Sequence, residues 1–230
     1  MTVNVYPNLK GGIMKEILLC PSLMCANFDN LKEEVEQLDK AGIDIFHVDI
    51  MDGQFVPNYG MGLQDLESIR RNTDKLVDVH LMTKNPGDYI DLFVEKGADI
   101  IYIHPEADLH PARSLAKIKD HGKKAGIAIN PGTSLEFVKP LLSLVDYFMV
   151  MTVNPGFAGQ KYLDYVDEKI EEIVKLKGKY NYKVFVDGAI SPERIENLSA
   201  KGVEGFVLGT SSLFGKEKSY EEIVKELKSL

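Results

Sequence analysis

Phe46-His47-Val48-Asp49-Ile50-Met51-Asp52-Gly53 is the stretch whose reading decides the fold. Together with Ile45, the apolar residues Phe46, Val48 and Ile50 mark a buried strand, yet His47 and Asp49 interrupt the run. Alternate side chains of a strand share a face, so His47, Asp49 and Met51 point the same way. An imidazole and a carboxylate side by side in a core are costly unless they are paired or bound to a metal. The same interruption recurs at Leu76-Val77-Asp78-Val79-His80-Leu81-Met82 and at Val184-Phe185-Val186-Asp187-Gly188. Polar groups at the downstream ends of separate apolar strands point to one shared site.

Outward from this stretch the pattern alternates strand and helix. Strands are expected at Ile17 to Met24, over the opening stretch from Ile45 to Gly53, at Leu76 to Met82, Asp99 to His104, Ala125 to Asn130, Tyr147 to Val153, Tyr182 to Asp187 and Gly205 to Gly209. Between them, apolar residues at helical spacing, such as Phe28, Leu31, Val35 and Leu38 before the stop at Gly42, mark amphipathic helices. The last helix is expected from about Glu217. Eight strand–helix units about 25 residues apart favour a single-domain α/β protein of the (β/α)8 TIM-barrel class over an open doubly wound sheet. Met14 begins the first strong pattern, so residues 1–14 read as an N-terminal extension and residues 15–230 as the barrel.

The 230 residues suit one such barrel, and 44% hydrophobic content allows a large core. A net charge of −8 argues against nucleic acid as a partner, which calls for a basic stripe, but not against a phosphorylated small molecule held by backbone amides. No apolar run reaches the length of a membrane span, and the first twelve residues lack the apolar core of a signal peptide. Cys20 and Cys25 lie an odd number of positions apart, so a disulfide between them is not expected, and reduced thiols fit a cytoplasmic location.

In a barrel the active site lies at the carboxyl ends of the strands, which is where the odd residues fall. Ser22 ends the first strand, His47 and Asp49 the second, His80 the third and Asp187 the seventh. Two imidazoles and two carboxylates make a four-ligand site for one divalent transition metal, with zinc, manganese, iron and cobalt all compatible. Gly156-Phe157-Ala158-Gly159 after the sixth strand, Gly188-Ala189 after the seventh and Gly209-Thr210-Ser211 after the eighth are small enough for backbone N–H groups to cradle a phosphate. Ser22 either hydrogen-bonds a substrate hydroxyl or caps the following turn. Met51, Met82 and Met151 either line the substrate with water-excluding surface or pack the core. His104 and Glu106 orient a ligand or anchor a loop. His110 and His121 fall at solvent-facing helix positions.

Pro21-Ser22-Leu23-Met24, His47-Val48-Asp49-Ile50-Met51-Asp52-Gly53 with Phe55-Val56-Pro57-Asn58, Asp78-Val79-His80-Leu81-Met82, Val153-Asn154-Pro155-Gly156-Phe157-Ala158-Gly159-Gln160 and Val186-Asp187-Gly188 resemble the ribulose-phosphate 3-epimerase superfamily, from about Ile17 to the C-terminus. Within it, Ser22-Leu23-Met24-Cys25, His104-Pro105-Glu106, Val150-Met151-Thr152-Val153 and Gly209-Thr210-Ser211 are most similar to the D-allulose-6-phosphate 3-epimerases, while Ala189 departs from both patterns. The resemblance implies an isomerase that inverts C3 of a ketose phosphate through a metal-stabilised enediolate. Asp49 and Asp187 would be the opposed base and acid, His47 and His80 would complete the ligand set, and the enzyme would assemble as a dimer or hexamer. The expected substrate is D-allulose 6-phosphate, giving D-fructose 6-phosphate, and the alternative is D-ribulose 5-phosphate, giving D-xylulose 5-phosphate. A reading of another class is a non-catalytic barrel that senses a metal and a phosphate. The Gly156 to Gln160 loop is expected to fold over the phosphate with Phe157 as its apolar latch.

Overall fold

Continuous apolar runs bounded by turn residues need cover on both faces, and a parallel barrel ringed by helices supplies it. The computed structural model describes residues 17–230, so the expected extension over residues 1–14 lies outside the described residues. The strands are β1 (Leu18–Pro21), β2 (Ile45–Met51), β3 (Leu76–Met82), β4 (Ile100–Ile103), β5 (Lys124–Ile129), β6 (Tyr147–Met151), β7 (Lys183–Asp187) and β8 (Gly205–Leu208). They alternate with α1 (Leu31–Ala41), α2 (Leu63–Arg71), α3 (Ile90–Glu95), α4 (Pro111–Asp120), α5 (Leu135–Val138), α6 (Asp167–Leu176), α7 (Pro192–Ala200) and α8 (Tyr220–Lys228). The order β1-β8-β7-β6-β5-β4-β3-β2, parallel throughout, is that of a (β/α)8 barrel. No helix among the described residues is long and apolar enough to cross a membrane.

The barrel meets itself between β1 and β2, and this seam has an identifiable cause. The amides of Leu18 and Ser22 point to β8, bonding Glu204 O and Leu208 O, whereas that of Leu19 points to β2. Pro21 shares the direction of Leu19 and has no N–H to give. The seam is closed instead by Asp44 N to Leu19 O at 3.0 Å, by Leu19 N to Asp44 Oδ2 at 2.8 Å and by an isolated bridge between Ser22 and His47. The expected first strand to Met24 therefore ends at Pro21, and Leu23–Cys25 forms a 3-10 turn. Both thiols are free, with Cys20 inside the barrel. The last helix starts at Tyr220 rather than near Glu217 because Ser219 and Glu222 form a reciprocal capping box there.

At the amino ends of the strands the same device appears four times. The carboxylates of Asp44, Asp99, Asp146 and Glu204, each just before an even-numbered strand, accept the backbone N–H of Leu19, Val77, Ala125 and Val184 on the preceding odd strand. Each also meets a lysine: Lys228, Lys123, Lys119 and Lys177 respectively.

Inside the barrel, Cys20, Ile45, Ile100, Tyr102, Ala128, Met149, Met151, Phe185 and Val207 pack as one cluster. Large and small residues interlock there: a Cβ on Gly126 would strike the Tyr102 ring and one on Gly205 the Phe185 ring. Gly205→Ala is accordingly expected to destabilise the fold by about 1–3 kcal/mol through overpacking, read as a lower urea midpoint at unchanged slope.

Candidate active site

The register between β2 and β3 builds the site in layers. His47 stands beside Asp78, Asp49 beside His80, and Met51 beside Met82. With period two in both strands, all six side chains face the barrel interior. Asp187 enters from the end of β7, and Ser22 from the end of β1. His47 and His80 are fully buried, Asp49 is 3% exposed and the Asp187 side chain 16%. Asp49 Oδ1 lies 3.2 Å from both His47 Nε2 and His80 Nδ1, and Asp187 Oδ2 lies 4.0 and 3.7 Å from the same two nitrogens.

These four residues fit a divalent cation. One ligand atom from each lies within 4.8 Å of the others. Ligand atoms about 2.1 Å from a tetrahedral ion would be about 3.4 Å apart, close to the separations found. The electrostatics ask for positive charge as well. Three carboxylates, those of buried Asp49 and Asp78 and of partly exposed Asp187, surround two imidazoles, and such an excess is stable only with a cation or protons among them.

The proton affinities of the two site aspartates are driven apart. Burial raises the Asp187 carboxyl, and the negative charge of Asp49 raises it further, to about 6. Burial would also raise Asp49, but the neighbouring imidazoles, foremost the charge and hydrogen bond of His47, outweigh it and hold Asp49 well below the ordinary carboxylate range. At His47 burial disfavours the charged form, and Asp78 and Asp49 reverse that effect, raising the imidazole well above its usual value. A cation then competes with the proton that Asp78 and Asp49 favour on His47, and below about pH 6 with one on Asp187 as well. Affinity for the ion is expected to fall as the pH drops. Calorimetric titration in buffers of different ionisation enthalpy should count more protons released at pH 5.5 than at pH 8.

Behind the four lies a supporting layer. His47 Nδ1 is 2.5 Å from Asp78 Oδ1. His80 Nε2 is 2.8 Å from His104 Nε2, and Phe55 covers the His104 ring at 4.8 Å between centroids. Ser22 Oγ donates to Asp49 Oδ2 at 2.5 Å and makes no cap to the turn that follows, which removes the capping role considered for it. Burial would raise the Glu106 carboxyl, but His104, Thr133 and Asn130 together bring it down to about 2.

Above the cluster the loops border a cleft of about 560 Å³, counting the open space at its mouth. Its lining includes Ser22, Asp49, Asp187, Met51, Met82, Met151, Gly156, Phe157, Ala158, Gly159, Gly188, Ala189, Gly209, Thr210 and Ser211, so every residue singled out for metal, substrate or phosphate borders it except His47 and His80, which are fully buried. Met51 and Met82 pack with Val56 at the mouth, and Met151 joins the barrel interior. Phe157, expected as a latch, is half exposed. His110 and His121 are exposed, and His121 pairs with Asp91.

Several residues of this region had no role assigned by the strand pattern. Asp78 sits on the same strand face as His80, and only the register reveals that it meets His47. Thr152 donates its amide and hydroxyl to Asp187 O and its hydroxyl to Gly188 O, holding the turn that carries Asp187. In that turn Gly188 has φ 119° with Val153 against the space a Cβ would need, and Ala189 has φ 52°, a strained conformation costing about 1 kcal/mol. Asn58 Nδ2 donates to Gly156 O at 2.7 Å, and the Gln160 carboxamide bonds Asn154 O and Phe157 O. Cys25 also lines the cleft; burial, with the nearby charge of Asp49, pushes its thiol up to about 11.

Known proteins resemble this chain along most of its length. The family model described as ribulose-phosphate 3 epimerase family matches residues 18–214. The chain is 38% identical over 215 residues to ribulose-phosphate 3-epimerase of Aquifex aeolicus (strain VF5), covering 93% of this chain and 96% of that protein. It is 38% identical over 213 residues to the protein of that name from Bacillus subtilis (strain 168), covering 90% and 98%. Among solved structures, 3-keto-L-gulonate-6-phosphate decarboxylase from Vibrio cholerae superposes with a TM-score of 0.70 at 12% identity, covering 94% of this chain and 96% of that one, a likeness of fold alone.

Proposed function

The chain belongs to the ribulose-phosphate 3-epimerase family, a family of isomerases, and from that premise we propose that it inverts C3 of D-ribulose 5-phosphate to give D-xylulose 5-phosphate. The observation that carries this reading is the meeting of Asp49 and Asp187 around two buried imidazoles, with carboxyl groups of opposite proton affinity. The C3 proton of a 2-ketose is acidified by the neighbouring carbonyl, and its removal leaves an enediolate. Asp49, held as a carboxylate, takes that proton on one face. Asp187, the readier proton carrier, returns one on the other, and the roles exchange in the reverse direction. His47, Asp49, His80 and Asp187 would hold one divalent ion (zinc, manganese, iron or cobalt), which would supply Lewis-acid stabilisation of negative charge developing on the substrate. Ser22 orients the Asp49 carboxylate through its short hydrogen bond. Met51, Met82 and Met151 keep water from the reacting carbons, and the amides of residues 156–159, 188–189 and 209–211 hold the phosphate. Assembly into two or six copies, in the cytoplasm, belongs to the same proposal.

The named relatives move the preference away from D-allulose 6-phosphate, the substrate expected from the finer motifs. That sugar stays as a second reading because Cys25, Ala189 and Thr210, which carry those motifs or depart from the ribulose pattern, all line the cleft. Metal-replete protein is expected to turn over D-ribulose 5-phosphate with kcat/KM about tenfold or more above that for D-allulose 6-phosphate. The opposite ratio transfers the assignment to the second reading. Absence of C3 hydrogen exchange with solvent on either sugar would end both.

A further inference from the structure

His80 has two ring nitrogens in two different surroundings. Nδ1 faces the carboxylates of Asp49 and Asp187, and Nε2 lies 2.8 Å from His104 Nε2. A nitrogen–nitrogen contact of that length holds one proton, carried by one ring and accepted by the other. His104 is fully buried, and its other nitrogen, Nδ1, lies 3.6 Å from Glu106 Oε2. Neither of those two buried atoms has a hydrogen-bond partner, so each is what the other is offered. The second Glu106 oxygen, Oε1, is occupied by the amide of Asn130 at 2.8 Å and the hydroxyl of Thr133.

The direction of the chain of bonds follows from proton counting. A carboxylate oxygen only accepts, so the atom that faces it must donate. His104 therefore carries its proton on Nδ1, towards Glu106, and presents a lone pair at Nε2. His80 must then donate from Nε2, which leaves the lone pair of Nδ1 turned to the cluster. A lone pair aimed at two carboxylates is unfavourable alone and favourable around a cation.

We propose that His104 and Glu106 are positioning residues that lock His80 in its Nε2–H form, and so hold its Nδ1 ready to ligate a divalent ion. The inference rests on His80 being a ligand, as proposed above. Glu106→Gln is the informative change. Its carboxamide oxygen replaces Oε1, because the Asn130 amide still requires an acceptor there. Its NH2 then faces His104 Nδ1, which has to accept. The proton order reverses along the chain, and His80 is driven towards Nδ1–H, the form that cannot bind metal through that atom.

The experiment uses zinc as the probe, with histidine tautomers read by long-range nitrogen–proton correlation on 15N-histidine-labelled protein, and zinc affinity by competition with a chelator. In the wild-type protein His80 is expected as Nε2–H and His104 as Nδ1–H; the reverse arrangement overturns the inference. In Glu106→Gln, zinc affinity is expected to fall about 10- to 100-fold, with His104 changed to Nε2–H. Unchanged affinity and tautomers in a folded variant also overturn it, since a loop anchor alone would change stability and not the tautomer. Should the variant fail to fold, the wild-type tautomers decide. A wild-type protein that takes up no zinc, manganese, iron or cobalt fails the ligand reading itself, a result distinct from zinc bound equally well by both forms.

Discussion

Asp187→Asn is expected to lower C3 inversion by about 10²–10⁴-fold while leaving the barrel folded. The side chain sits at the end of β7 with 16% of its surface exposed, so a near-isosteric amide disturbs little packing. It does remove the group able to carry a proton on that side of the cluster. The distinguishing readout is directional. With Asp49 intact, C3 hydrogen of one epimer should still exchange with solvent in deuterated water, while exchange from the other epimer and net inversion fall together. Equal loss from both epimers, with zinc binding retained, would sink the assignment of one aspartate to each face. Equal retention would remove Asp187 from the chemistry altogether.

Stripping the divalent ion with a chelator should have an effect as large and on two readouts. Turnover is expected to drop by at least about 10²-fold, because the charge developing on the substrate loses its largest single stabiliser. Stability should drop with it. An ion present at about 100 times its dissociation constant contributes about 2.7 kcal/mol to the folded state, which for a chain of this size is a Tm difference of about 5–10 °C. Both should return when zinc, manganese, iron or cobalt is restored, and the metal giving the highest turnover identifies the working ion. A chelated protein with full activity would show that His47, Asp49, His80 and Asp187 do something other than hold a cation.

Much of this arrangement is legible in the sequence. Period-two alternation in two strands is enough to bring His47, Asp49 and His80 to one face, and the barrel rule brings Asp187 to the same end. The strand Leu76–Met82 lies where the pattern predicts it. What could not be read were relations between distant segments. That His47 meets Asp78 depends on register, and that Asn58 reaches Gly156 depends on how two loops approach. Neither leaves a trace in local periodicity. The short first strand is a different case. Pro21 was visible, but whether its missing donor matters depends on which neighbour that position faces.

The four carboxylates at the amino ends of the strands carry a consequence for how this molecule can change. They recur at every second strand, so the amino end of the barrel behaves as four like modules, each clamping an odd strand to the even strand after it, a repeat the rim does not show among the described residues. Rigidity is thus vested in one pole and selectivity in the other. Grafting a foreign rim loop leaves the clamps untouched, and a drifting substrate preference carries little penalty for the scaffold beneath it.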